Sequence, residues 1–225
     1  MGTLTETAEA VTLEPDRPAD ASVLWLHGLG ADGHDFVPIV AELGLPVTRP
    51  VRFVFPQAPY RRVTINGGYE MRAWYDIRSL AAAERADGAG LAESVAMLHA
   101  LIDAEIARGV PAARIVVAGF SQGGAVALHA AASAAHRLAG VIALSTYLPL
   151  PARFAATAHP ANAALPVLQC HGLDDTVVGL AMGSAARDAL RAAGYPVQWH
   201  ALAMAHEVTR EEIAVVAAWL AARLG

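Results

Sequence analysis

The sequence predicts an α/β fold in which one doubly wound, mainly parallel sheet is flanked by helices. Short apolar runs alternate with helical patterns along 225 residues, without a shift in composition. Several of those runs are too uniformly apolar for a sheet with one wet face, so helices must cover both sides. No repeat and no linker divides the chain, and one α/β domain can use the whole of residues 1–225. Residues 1–20 are polar and acidic and are expected to be peripheral.

The first strand is expected over Ser22–Leu26, which runs into His27-Gly28-Leu29-Gly30. Phe36–Leu43 has a helical pattern, and Arg52–Phe55 reads as the second strand. The segment from Pro56 to Gly90 resists the alternation and predicts irregular loop with short strand pieces. Next come a helix over Leu91–Arg108, a strand over Arg114–Ala118 and an alanine-rich helix over Gly123–Ala135. Strands over Val141–Leu144, Pro166–Cys170 and Val197–Leu202 follow, with a helix over Ala181–Ala193 before the last of them. The final helix, Thr209–Leu224, places Ile213, Val216 and Leu220 on one face. Its first turn carries Glu211 and Glu212, where the helix dipole favours acids.

Composition narrows the function classes. Hydrophobic residues make up 55% and charged ones 16%, and Ile115 to His136 holds no Asp, Glu, Lys or Arg over a bilayer's length. Gly119, Ser121, Gln122, Gly123, Gly124 and two histidines interrupt that run, which argues against stable membrane insertion. The amino terminus has no basic start and no apolar core of signal-peptide length, so cytoplasmic residence is expected. A single cysteine, Cys170, leaves no internal disulfide framework; within Leu165–His171 it reads as a small buried strand residue. Net charge is −5 with no basic patch, which speaks against nucleic acid as a partner. Every basic residue is arginine, so Schiff-base chemistry and a Walker-type phosphate loop, which need an ε-amine, are ruled out. The apolar composition permits a homodimer.

The chemistry centres on Gly119-Phe120-Ser121-Gln122-Gly123, a G-x-S-x-G pattern with a strand running in and a helix leaving. A serine at such a turn is held on a tight bend that lifts its hydroxyl clear of the sheet. Flanking glycines are needed where neighbouring backbone leaves no room for a β-carbon. A chance match in a glycine- and alanine-rich chain is the competing reading, and the strand-turn-helix setting argues against it.

A serine hydroxyl needs a base, and the base needs an orienting acid; in this setting the chain order is Ser, Asp or Glu, then His. His129, His136 and His159 precede any suitable acid, His171 ends a strand, and His200 lies inside one. His206 falls in the loop between the last strand and the last helix, at the edge where catalytic side chains gather. For the acid, Asp188 reads as a solvated helix position, and spacing does not separate Asp174 from Asp175. The negative charge of a tetrahedral intermediate needs two donors, for which the amides of Gln122 and Leu29 are the candidates. His27 comes too early in the chain to be the base and is expected to brace its loop.

Taken together, Trp25-Leu26-His27-Gly28-Leu29-Gly30, Pro56-Gln57-Ala58-Pro59, Trp74-Tyr75-Asp76, Gly119-Phe120-Ser121-Gln122-Gly123 and His206-Glu207 resemble the carboxylesterase and acyl-protein thioesterase (phospholipase/carboxylesterase) family. Thr64-Ile65-Asn66-Gly67-Gly68-Tyr69-Glu70 and Ala181-Met182-Gly183 point within it to the bacterial carboxylesterase branch. The resemblance runs from about Ser22 to the carboxyl terminus and implies the α/β-hydrolase fold. The family's H-G-x-x-D-x-x-V pattern is matched by His171 to Val178 and implies Asp175 as the acid, although Thr176 departs from the residue usual after it. An apolar groove matching Ile65, Ile77, Leu80 and Val177 is implied as well. The expected activity is hydrolysis of short-to-medium carboxylic esters through an acyl-enzyme, with no metal or cofactor called for. An acyl-protein thioesterase or lysophospholipase would use the same residues. A dehalogenase would need Asp at the position of Ser121, and a dienelactone-hydrolase relative Cys. From another class, the chain could be a non-catalytic binding module on the same fold, which an intact Ser121, Asp175 and His206 disfavour.

Overall fold

The structure, a computed structural model, describes residues 2–45, 50–79 and 86–225. Its strands are β1 (Thr3–Glu6), β2 (Ala10–Glu14), β3 (Ala21–Leu26), β4 (Val51–Pro56), β5 (Tyr60–Val63), β6 (Tyr69–Arg72), β7 (Ile115–Phe120), β8 (Gly140–Leu144), β9 (Val167–Gly172) and β10 (Val197–Leu202). The helices are α1 (Ile39–Glu42), α2 (Gly88–Ala107), α3 (Gln122–Ser133), α4 (Pro151–Thr157), α5 (Leu180–Ala192) and α6 (Arg210–Leu224). β5 and β6 pair as a separate hairpin, and the remaining strands form one sheet in the order β1-β2-β4-β3-β7-β8-β9-β10. From β4 to β10 every neighbouring pair is parallel, whereas β1 and β2 run antiparallel. The architecture is the α/β-hydrolase fold.

The uniformly apolar runs are explained by burial on both faces. Every residue of β3, β8 and β9 is buried. Leu24, Leu26, Val117, Val141 and Ala143 share a core with Leu98 of α2 and Val126 of α3. On the other face Val23, Trp25, Val116, Ile142 and Leu144 pack with Ile213, Val216 and Leu220 of α6. Each large side chain buried in this way contributes about 1.5–3 kcal/mol. Among the described residues no helix is long and apolar enough to cross a membrane.

Connectivity then decides where chemistry can happen. The strand after β3, β4, lies on one side of it, while β7 lies on the other and continues outward to β8. The chain therefore reverses its winding between β3 and β7, the crevice where open α/β sheets bind ligands. Leu26 pairs with Gly119, so the loop beginning at His27 stands beside the turn at Ser121.

Three features differ from the expectation. Residues 3–14 form the β1–β2 hairpin, where no element was predicted, and Val11 is fully buried against the sheet. Pro151–Thr157 forms a short helix that its proline-bounded sequence did not suggest. Glu212 is the third. It shares a helical face with Val216 and Leu220 and is completely buried, and neither carboxyl oxygen has a hydrogen-bond partner among the described residues.

Burial pushes the Glu212 carboxyl up from 4.5 to about 8. Between those two values the unfolded chain ionises while the folded one keeps its proton, so stability falls as pH rises through that window. The loss should be on the order of a few kcal/mol. Glu212→Gln removes the titration, and thermal melts from pH 5 to 9 should show the variant losing much less stability than the wild type. Parallel melting curves across that range would contradict this placement. Its own burial, and then the same carboxyl, hold the Cys170 thiol far above the ordinary thiol range, which fits a packed strand residue.

Candidate active site

Ser121 follows β7 and caps α3 with φ 53° and ψ −119°, a conformation few non-glycine residues adopt. Hydrogen bonds on both sides of its main chain hold it there. Its amide donates to the Leu144 carbonyl at 2.8 Å, and its carbonyl accepts from the Thr146 hydroxyl at 2.6 Å. The flanking glycines are needed for the reason the motif suggested. A β-carbon on Gly119 would collide with the main chain of Gly123, and one on Gly123 would stand 2.7 Å from the Leu26 carbonyl. Strand and helix thus pack backbone to backbone around the serine.

His206 lies between β10 and α6, and its ring joins two groups far apart in sequence. Nε2 is 3.0 Å from Ser121 Oγ, and Nδ1 is 2.7 Å from Asp175 Oδ2. With Nδ1–H donating to the carboxylate, Nε2 presents a lone pair to the hydroxyl, as a general base requires. The Phe120 ring lies against the imidazole at 4.7 Å between centroids and limits its rotation. The Asp175 side chain is buried, and its Oδ1 accepts the amides of Val177 and Val178 at 2.9 and 2.8 Å. Asp174 is exposed, and among the described residues its hydrogen bond is that of its amide to the Met204 carbonyl. The two neighbouring acids therefore point to different surroundings.

The two candidate anion donors flank the serine. Gln122 opens α3, so its amide belongs to the first turn, where a helix leaves N–H groups without an internal acceptor. A β-carbon on Gly28 would stand 3.7 Å from that of Ser121, so the loop that carries Leu29 approaches the serine turn at Gly28. His27 braces this loop from within: Nδ1–H donates to the Gly28 carbonyl at 2.7 Å, and Nε2 accepts from the Ala58 amide at 3.1 Å. Burial lowers the basicity of its ring and keeps it neutral.

The implied groove residues are placed unevenly. The Ile65 amide donates to the Ile77 carbonyl at 2.9 Å, and Ile77 is buried in the core. Val177 is exposed and belongs to the turn that holds Asp175. Leu80 lies outside the described residues. Of the other histidines, His129 donates from Nε2 to the Pro149 carbonyl at 2.8 Å, and burial lowers it to about 4. His171 is buried with Nε2 on the Val178 carbonyl at 2.7 Å, 3.6 Å from Asp175 Oδ2, and so supports the acid's turn. Phe120, Thr146 and His171 act on the site without having been singled out for it. Phe120, inside the serine motif, and His171, which opens the acid motif, left a signal in the sequence; Thr146 did not.

A family profile described as Phospholipase/Carboxylesterase matches residues 7–224. Acyl-protein thioesterase 1 from Neurospora crassa is 38% identical over 213 residues, covering 91% of this chain and 87% of that protein. The crystal structure of acyl-protein thioesterase 2 from Zea mays superimposes with a TM-score of 0.86 at 31% identity, covering 97% of this chain and all of that one. A Bacillus cereus carboxylesterase structure, at 20% identity and a TM-score of 0.73, covers 95% of this chain and 93% of its own and shares the fold alone. The expected leaning toward the bacterial branch is corrected by these figures, since the strong likeness is to eukaryotic thioesterases. The residues that suggested the branch answer to local needs. Gly67 and Gly68 both have positive φ in the β5–β6 connection, and a β-carbon on Gly183 would strike the His171 ring.

Proposed function

Because the chain belongs to the phospholipase/carboxylesterase family, we propose that it hydrolyses acyl thioesters and carboxylic esters, with Ser121 as nucleophile, His206 as base and Asp175 as its orienting acid. One observation carries this reading: a buried carboxylate, an imidazole and a hydroxyl stand in hydrogen-bonded series at 2.7 and 3.0 Å. His206 takes the Ser121 proton as Oγ attacks the acyl carbon, and Asp175 stabilises the imidazolium that forms. The amides of Gln122 and Leu29 hold the oxyanion. The imidazolium returns its proton to the leaving thiol or alcohol, and water, activated by the same ring, releases the acid from the acyl-enzyme.

Thioesters and esters pass through the same kind of tetrahedral intermediate, so the site's geometry serves both. The likeness to proteins named acyl-protein thioesterases supports placing thioesters first. A side-by-side assay tests this on an acyl thioester, p-nitrophenyl esters of graded length and a lysophospholipid. The thioester is expected to match or exceed the ester of equal chain length in kcat/KM. Each added methylene that finds cover should raise kcat/KM by up to about fourfold, until the acyl site is filled. A marked preference for the lysophospholipid would instead favour a lipid hydrolase built on the same residues. Failure to cleave any of the three would sink the proposal.

A further inference from the structure

Trp74-Tyr75 belongs to a motif that the proposed mechanism leaves without a role. Trp74 follows the β5–β6 hairpin and is completely buried, with each of its polar groups engaged. The indole Nε1–H donates to the His27 carbonyl at 2.8 Å, directly before the Gly28–Leu29 peptide. The Trp74 amide donates to Gln122 Oε1 at 2.8 Å, and Gln122 Nε2 donates to the Tyr75 carbonyl at 2.7 Å. The Ser94 hydroxyl of α2 closes on the Trp74 carbonyl. Two residues before Trp74, the Arg72 carbonyl accepts the Gly30 amide at 2.9 Å, while its guanidinium donates to the Ala58 carbonyl at 2.8 Å. The candidate donors lie about ninety residues apart, Leu29 in the loop after β3 and Gln122 at the start of α3. The segment from Arg72 to Tyr75 is hydrogen-bonded to Gln122 and to His27 and Gly30, which bracket Leu29.

We propose that Trp74 is a positioning residue that locks the two oxyanion donors into one fixed spacing. An oxyanion site acts through donors that are already in place when charge develops, so their separation must not relax. Gln122 is fixed at the start of α3, but the loop that carries Leu29 has no reason to hold one spacing to it by itself, because loops are the mobile parts of a fold. A buried polar network in which every member is satisfied is rigid and selects one geometry. Apolar packing would stabilise this spot without needing Gln122, His27 and Trp74 to be paired, and the pairing is what ties the loop of Leu29 to the start of α3. The proposal rests on the reading of Ser121 as nucleophile and adds the element that assembles its anion site.

Trp74→Phe deletes the indole N–H and retains an aromatic ring and the main-chain bonds. Kinetics are measured on a p-nitrophenyl ester, normalised to active sites counted with a fluorophosphonate, together with inhibition by an alkyl boronic acid that mimics the tetrahedral adduct. The expected result is a fall in kcat of about 10- to 100-fold, with KM within about threefold of wild type. The boronic acid should weaken by a similar factor. A purely structural tryptophan would lower the melting temperature and leave the normalised kcat and the boronic acid affinity within about threefold of wild type, and that outcome overturns the proposal. If Trp74→Phe does not fold, Gln122→Met removes the side-chain bonds and keeps the amide, and the same criteria apply. A Ser121→Ala variant that turned over like the wild type would be a failure of the underlying reading and is thereby distinguished from failure of this one.

Discussion

Ser121→Ala is expected to lower kcat by about 10⁴-fold or more while the protein stays folded. The size follows from cooperation: without Oγ, His206 has no proton to take, and the remaining parts offer only binding and the oxyanion donors. Folding should survive because the structural work at this position is done by the main chain. The amide on Leu144 and the carbonyl on Thr146 are untouched. Alanine carries the same β-carbon into the same φ of 53°, so the bend costs no more than before. Circular dichroism and a thermal melt should overlay the wild type closely. Activity within tenfold of the wild type in a folded variant would remove Ser121 from the mechanism.

Asp175→Asn should cost about 10³- to 10⁴-fold in kcat, and Asp174→Asn less than about threefold. The asparagine oxygen can still accept the Val177 and Val178 amides, so the turn should persist. Its NH₂ would then face His206 Nδ1, currently 2.7 Å from the carboxylate, and two donors cannot share that contact. The ring responds by moving its proton to Nε2, where a base cannot carry it. Asp174 is exposed and its carboxylate touches nothing in this relay, so its charge acts only through screened electrostatics. Measuring both variants at one pH on one ester gives the contrast directly. The opposite ranking would transfer the role to Asp174.

The parts of the fold that were legible in the sequence are those where local pattern and tertiary environment coincide. Ser22–Leu26, Val141–Leu144 and Pro166–Cys170 read as buried parallel strands because both sheet faces are covered, and they lie within or nearly on β3, β8 and β9. The serine turn was legible because Gly119 and Gly123 are required by close backbone contact. His206 followed from chain order and loop position. The β1–β2 hairpin was not legible: β1 is fully exposed and polar, so it carries no apolar run to detect. Glu212 was placed in the right turn of the right helix, yet its burial depends on packing against the sheet, which helix-dipole reasoning does not see. Spacing left Asp174 and Asp175 equal because one peptide unit separates them; the family pattern implied Asp175, and in the structure it is Asp175 whose carboxylate takes the Val177 and Val178 amides and meets His206. The side chain of Gln122 was invisible for a similar reason: its partners at Trp74 and Tyr75 lie nearly fifty residues away.

The most direct test of the central claim is to locate the covalent bond. The wild-type protein is treated with a fluorophosphonate at neutral pH, and the adduct is counted by intact mass and placed by peptide mapping. One equivalent on Ser121 is expected, formed in step with loss of esterase activity. His206→Ala should react at least about 100-fold more slowly, since the hydroxyl then lacks its base. Stoichiometric labelling of any other residue, or full inactivation with Ser121 unmodified, would contradict the account.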